Sequence, residues 1–183
     1  MVLTYSSMLE LGSSLEEFNL IDTFSGNNFS SSELDEAKPS LIMFICNHCP
    51  YVIHYHHEIQ RLAKDFDNAI NMVAISSNDI EEYPQDGPDK MRELWVQLGL
   101  SFPYLFDSTQ DVAKQYKAEC TPEFYLFDSS QKLIYRGRLD ESSPNSGFEP
   151  TGEDLRNAIE NVINNKDVNA DQFPSMGCNI KWK

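Results

Sequence analysis

The sequence predicts an α/β fold with a central mixed sheet flanked by helices on both faces, and two features carry that prediction. Two nearly continuous apolar runs, residues 40–45 and 71–76, have the length and composition of buried strands, and each precedes a helical or loop-then-helical stretch. Downstream, EFYLFDSSQKLIYRGRL reads as two alternating strands around Asp128, Ser129 and Ser130, the clearest hairpin in the chain. The order hairpin, β, α, β, α, β, α, hairpin, α then calls for crossover helices between parallel strands.

The elements follow in order. The opening segment reads as a hairpin-like lead-in, anchored by Phe18, Leu20 and Phe29 and turning at TFSGNN. SSSELDEAK predicts a short helix or turn with Ser30, Ser31 and Ser32 as N-cap candidates, closed by Pro39. The first buried strand runs into CNHCP. After Pro50, which suits a first helical turn because its missing N–H has no partner there, Ile53, Ile59, Leu62 and Phe66 recur at helical spacing. A polar loop, SNDIEEYPQDGPD, separates the second strand from the helix KMRELWVQLGL, which Gly99 ends. A short strand over 102–106 and a helix over 108–117 lead to the hairpin. GEDLRNAIENVINN is an amphipathic helix with Leu155, Ile159, Val162 and Ile163 on one face. Residues 168–183 read as an irregular tail, with Ile180 and Trp182 as docking anchors. All 183 residues are expected to form a single domain, a length at which roughly two-thirds of the unfolded surface is buried.

Fourteen Lys plus Arg against twenty-nine Asp plus Glu give a net charge of -15, which repels phosphate backbones and anionic lipid. No nucleic acid or membrane partner is expected. The N-terminus MVLTYSSMLELGSSLEEF has neither a basic nor an apolar targeting region, so a cytoplasmic protein with reduced thiols is expected. Four cysteines, Cys46, Cys49, Cys120 and Cys178, are too few for a disulfide-stapled scaffold and point to chemistry instead.

That chemistry centres on FICNHCPYVIHYHHE, where Cys46 and Cys49 bracket Asn47 and His48 at a strand-to-helix junction. A C-x-x-C there is the arrangement of the thioredoxin fold. An unperturbed cysteine of pKa about 8.5 is only about 3% thiolate at pH 7, and a two-unit drop requires about 2.7 kcal/mol. A helix N-terminus supplies roughly 0.3–1 kcal/mol, up to about 2 when partly buried. First-turn N–H groups aimed at Cys46 and a protonated His48 are expected to supply the remainder. Zinc or copper bound by Cys46, Cys49, His54 and His57 is the rival reading, but a helix from Pro50 carries both histidines outward, on a solvated face with His56. No metal and no cofactor are expected.

The succession CNHCPYV, ISSND, FPYLFD, CTPEFYLFD, YRGRLDE and MGCNIKWK resembles the thioredoxin-like redoxins of the alkyl hydroperoxide reductase and thiol-specific antioxidant superfamily, over nearly the whole chain. The resemblance implies that Cys46 is the attacking cysteine and Cys49 the resolving one. It also implies that Thr121 precedes a cis Pro122 facing the C-x-x-C, in a loop that offers backbone groups to a substrate. Two positions depart from the pattern. Ser40 stands where thioredoxins carry a buried acid, leaving Cys49 without its usual proton acceptor. Met43 stands where peroxide-reducing members carry Thr or Ser, although Arg136 or Arg138 fits their arginine.

The expected activity is thiol–disulfide exchange on protein or small-molecule disulfides, sustained by an external thiol reductant. A thiol peroxidase using Cys46 is the alternative, which would make the protein an antioxidant acting on peroxides. A metal chaperone or sensor is a third reading of the same thiols. Cys120 and Cys178 are possible additional redox cysteines; the bland reading of Cys120 is a small buried filler.

Overall fold

The computed structural model describes residues 3–183. Its elements are β1 (Leu3–Tyr5), β2 (Asn19–Asp22), β3 (Asn28–Ser30), β4 (Ser40–Phe44), α1 (Pro50–Asp65), β5 (Asn71–Ser76), α2 (Pro88–Leu98), β6 (Tyr104–Phe106), α3 (Asp111–Gln115), β7 (Cys120–Thr121), β8 (Glu123–Phe127), β9 (Leu133–Gly137), α4 (Glu153–Ile163) and β10 (Met176–Asn179). Seven strands form a sheet in the order β3-β2-β6-β5-β4-β8-β9. β4, β5 and β6 pair in parallel and the remaining neighbours pair antiparallel, so the sheet is mixed as the sequence predicts.

Alternation along β4 builds both faces of the core. Leu41 and Met43 face a cluster with Val52, Tyr55, Ile59 and Leu62 of α1, Trp95 of α2 and Leu155 and Ile159 of α4. Ile42 and Phe44 face the opposite cluster, closed by Phe18 of the lead-in, Val112, Tyr116 and the C-terminal Ile180. Helices therefore cover both faces, although α3 is one short helix and extended segments complete its layer. Ile53, expected on the apolar face of α1, is exposed, and that face instead buries Glu58. Arg61 and Arg156 both pair with the buried Glu58 side chain.

The lead-in hairpin forms as predicted, with Leu20 opposite Phe29. The serine run becomes a 3-10 turn with a capping box: Ser30 Oγ accepts from the Ser32 N–H, and the Ser30 N–H donates to Glu33 at 2.7 Å.

The C-terminal segment corrects the irregular tail. β10 forms the centre of a second sheet, β1-β10-β7, with Cys178 opposite Leu3 on one side and Thr121 on the other. The chain beyond it is tied to ISSND: the Lys181 N–H donates to Asn78 Oδ1 and the Asp79 N–H to the Lys181 carbonyl, both at 2.8 Å. A four-residue strand without alternating apolar residues gives no periodicity signal, because backbone pairing on both edges holds it in place. Gly177 makes this approach possible, since a Cβ there would run into the Thr121 carbonyl. Gly177→Ala is therefore expected to cost about 1–3 kcal/mol and to loosen β10. A lower denaturation midpoint and new alkylation of Cys178 by iodoacetamide in the folded protein check this.

Candidate active site

β4 delivers the chain to Cys46 and α1 starts immediately after Cys49, its N-cap, with Pro50 in the first turn. Both cysteines are buried against Thr121. Cys46 Sγ lies 3.3 Å from Thr121 Oγ1, and the Cys49 thiol donates to the Thr121 carbonyl at 3.1 Å. The Thr121–Pro122 peptide bond is cis, as the resemblance implies. Cys178, with 4% of its surface exposed, brings its sulfur to 2.8 Å from Cys49 Sγ. Cys46, Cys49, Thr121 and Cys178 thus form one buried group.

The Asn47–His48 turn is fixed by a residue that the sequence reading left in a polar loop. Asp86, at the end of a 3-10 turn over Pro84–Asp86, is fully buried. Its Oδ1 accepts the N–H groups of Asn47 at 2.8 Å and His48 at 3.3 Å. Its Oδ2 accepts from Asn78 Nδ2 at 2.8 Å and lies 2.6 Å from His48 Nδ1. The carboxylate therefore makes Nδ1 the protonated nitrogen of His48 and leaves Nε2 without a hydrogen-bond partner among the described residues. The imidazole stacks on Tyr83, with ring centres 5.4 Å apart and 9° between planes, and Tyr83 in turn has Lys181 Nζ 5.6 Å from its ring centre. Asn47 is held from a second side, because Tyr104 Oη donates to its side-chain carbonyl at 3.1 Å.

The electrostatics place the first charge differently from the sequence expectation. S–H donation from Cys178, then from Cys46, holds Cys49 far below the ordinary thiol range despite its burial, and the Val52 amide adds to the effect. Cys46 is pushed up by its hydrogen bond with Cys49, by burial and by the charge of Asp86, against the lowering influence of Thr121. Cys178 is pushed up by the same sharing with Cys49 and by burial. The helix N-terminus serves Cys49 because Cys49 is the N-cap, whereas Cys46 lies outside the first turn. Cys49 therefore sits between two other thiols, Cys178 at 2.8 Å and Cys46.

Cys120 is fully buried on β7, its thiol pushed up by burial and by the charge of Glu123. Glu123 is a buried acid next to the site that the sequence reading did not single out. It accepts N–H bonds from Glu119 at 2.9 Å and Cys120 at 3.3 Å, and the Tyr125 hydroxyl at 2.6 Å. Arg136 and Arg138 are engaged elsewhere: Arg136 donates to the Leu9 carbonyl and Gln172, and Arg138 to Asp154. The hydroxyl that lies beside Cys46 is that of Thr121, on another strand, at 3.3 Å.

The three helix histidines divide. His57 is exposed and bonds Gln60, but His54 is half-buried with Nε2 3.0 Å from Ser142 Oγ, and burial lowers the pKa of His56. The solvated-face reading therefore holds for His57 alone. Cys46, His48 and Asp86 are the one group of His, Cys and acidic side chains at metal-ligand spacing among the described residues, with ligand atoms within 4.8 Å of one another. Both Asp86 oxygens already accept two donors each, so an ion would have to displace the contacts that shape the turn.

The family profile for redoxins matches residues 10–153, from the lead-in to the first residue of α4. The chain belongs to the redoxin family. Two solved structures resemble this redoxin over almost their whole lengths. An uncharacterized conserved protein from Geobacillus kaustophilus is 46% identical, with 100% of this chain and 97% of that one covered and a TM-score of 0.97. A hypothetical protein from Sinorhizobium meliloti is 39% identical, with 98% of each chain covered and a TM-score of 0.95. A secreted disulfide oxidoreductase from Mycobacterium tuberculosis, 17% identical over 78% of this chain and 94% of its own with a TM-score of 0.60, shares the fold. No curated protein matches the redoxin. Family and fold support a thiol redox role. No helix among the described residues is long and apolar enough to cross a membrane.

Proposed function

We propose that this redoxin is a thiol–disulfide oxidoreductase in which Cys46 attacks and Cys49 resolves. The observation that carries this reading is that both sulfurs touch Thr121 at a strand-to-helix junction. In the first step Cys46 gives up its proton to water, and its sulfur bonds to one substrate sulfur. The other substrate sulfur leaves as a thiolate and is protonated by water. Cys49 then loses its proton, bonds to Cys46 and expels the second substrate thiol. The chain ends oxidised by two electrons and the substrate reduced by two, so an external dithiol reductant must restore Cys46 and Cys49. His48, charged when protonated, offsets the Asp86 charge beside Cys46 and so tunes its attack.

A second reading, a thiol peroxidase, has one observation in its favour: the Thr121 hydroxyl 3.3 Å from Cys46 offers a hydrogen bond to a bound peroxide. No arginine of the 136–138 pair joins it, which favours disulfide exchange. The expected result with dithiothreitol as reductant is catalytic reduction of insulin disulfides, and a Cys46 reaction with hydrogen peroxide no faster than that of free cysteine. Fast peroxide consumption without insulin reduction would reverse the order of the two readings.

A further inference from the structure

Cys178 is the cysteine that simple C-x-x-C chemistry leaves without a part, yet it is the sulfur nearest to Cys49. A buried cysteine is ordinarily a small apolar filler. Cys178 lies in the apolar cluster under α1, but its sulfur also faces another sulfur, 2.8 Å away. The surrounding backbone is arranged for this contact. β10 is paired on both edges, with Cys178 in register with Leu3 and Thr121. Gly177 admits the close approach to the Thr121 carbonyl, the group that also accepts the Cys49 thiol. The following residues, Ile180 and Lys181, are buried, and Lys181 is bonded to Asn78, whose side chain holds Asp86 on the other flank of the C-x-x-C.

We propose that Cys178 is a third redox thiol, which moves the Cys46–Cys49 disulfide to Cys49–Cys178 and so frees Cys46 while the chain stays oxidised. The step is an internal exchange. Cys178 gives up its proton and its sulfur bonds to Cys49 Sγ; the Cys46–Cys49 bond breaks; and Cys46 leaves as a thiolate that takes up a proton. One disulfide is broken and one made, so no electrons are gained or lost. Cys49 is the shared member because its sulfur lies 2.8 Å from Cys178 and also shares a hydrogen bond with Cys46.

The consequence is a relay. Cys46 becomes available for a second attack before the external reductant arrives, and the oxidising equivalent waits in a disulfide held by the C-terminal strand. This deepens the oxidoreductase reading and rests on it for the entry of electrons at Cys46.

Disulfide mapping tests the relay. Cys46→Ser protein is treated with oxidised glutathione, which takes two electrons from the remaining thiols and becomes two glutathione molecules; it is then blocked with N-ethylmaleimide, digested and analysed by mass spectrometry. The expected product is an internal Cys49–Cys178 disulfide, lost in the Cys46→Ser, Cys178→Ser double variant. Wild-type protein treated in the same way is expected to show Cys49–Cys178 alongside Cys46–Cys49. Glutathionylated Cys49 with no internal bridge in Cys46→Ser, together with Cys46–Cys49 alone in the wild type, would overturn the relay. Insulin reduction by Cys178→Ser separates this outcome from failure of the parent reading. Turnover that persists while the Cys49–Cys178 bridge is absent leaves the oxidoreductase intact and removes the relay. The bridge without any wild-type turnover does the reverse.

Discussion

Cys49→Ser is expected to convert turnover into capture. With Cys46 still able to attack, a substrate disulfide such as insulin becomes joined to the chain, and the resolving sulfur that would release it is gone. A species of increased mass, stable on non-reducing gels and dissolved by dithiothreitol, should accumulate. Catalytic insulin reduction should fall to the level of a protein-free control. Cys46→Ser should abolish both turnover and capture of insulin, because Cys46 is the attacking sulfur toward a protein substrate in the proposed mechanism. Ser at position 49 also removes the thiol that pushes Cys46 up, so capture in Cys49→Ser should be no slower at neutral pH than the first turnover of wild type, and it should quicken as pH rises and Cys46 ionises. A Cys46→Ser variant that captures substrate as well as Cys49→Ser does would show that the roles of the two sulfurs are reversed.

How much of this was legible in the sequence depends on which physical signal each part leaves. The strands with buried runs on both faces, β4, β5 and β8, and the helices with a three- to four-residue apolar period leave composition and periodicity, and both were readable. β7 and β10 leave neither. They are two and four residues long, and backbone hydrogen bonds and a tolerated glycine position them, not apolar alternation. The candidate site divides along the same line. Cys46, His48 and Cys49 are local in sequence, and Thr121 and Pro122 followed from the family resemblance. Cys178 and Asp86 reach the site only through the fold, 129 residues from Cys49 and 38 from His48. A loop aspartate reads as solvated because isolated carboxylates rarely pay to be buried; only the four donors that converge on Asp86 make its position favourable. Which cysteine meets the helix N-terminus depends on which one is the N-cap, and a pair of thiols three residues apart does not announce that.

Asp86 carries the second large effect. Asp86→Ala strips the buried acceptor from the N–H groups of Asn47 and His48, from Asn78 Nδ2 and from His48 Nδ1. Leaving polar partners buried without an acceptor costs about 1–3 kcal/mol each, although the half-buried His48 can turn toward water. The expected net loss is about 3–5 kcal/mol, the range for breaking a buried charged pair on one side, read as a lower midpoint in urea. Asp86→Asn separates shape from charge. Its carbonyl oxygen can still accept the two backbone N–H groups, so most of the stability should return. The negative charge that opposes ionisation of Cys46 does not return. The pKa of Cys46 should therefore fall in Asp86→Asn, and iodoacetamide should label the Cys46 peptide faster than in wild type at neutral pH. A labelling rate that does not rise would show that the Asp86 charge does not restrain Cys46, while the urea midpoint reports the scaffold role in either case.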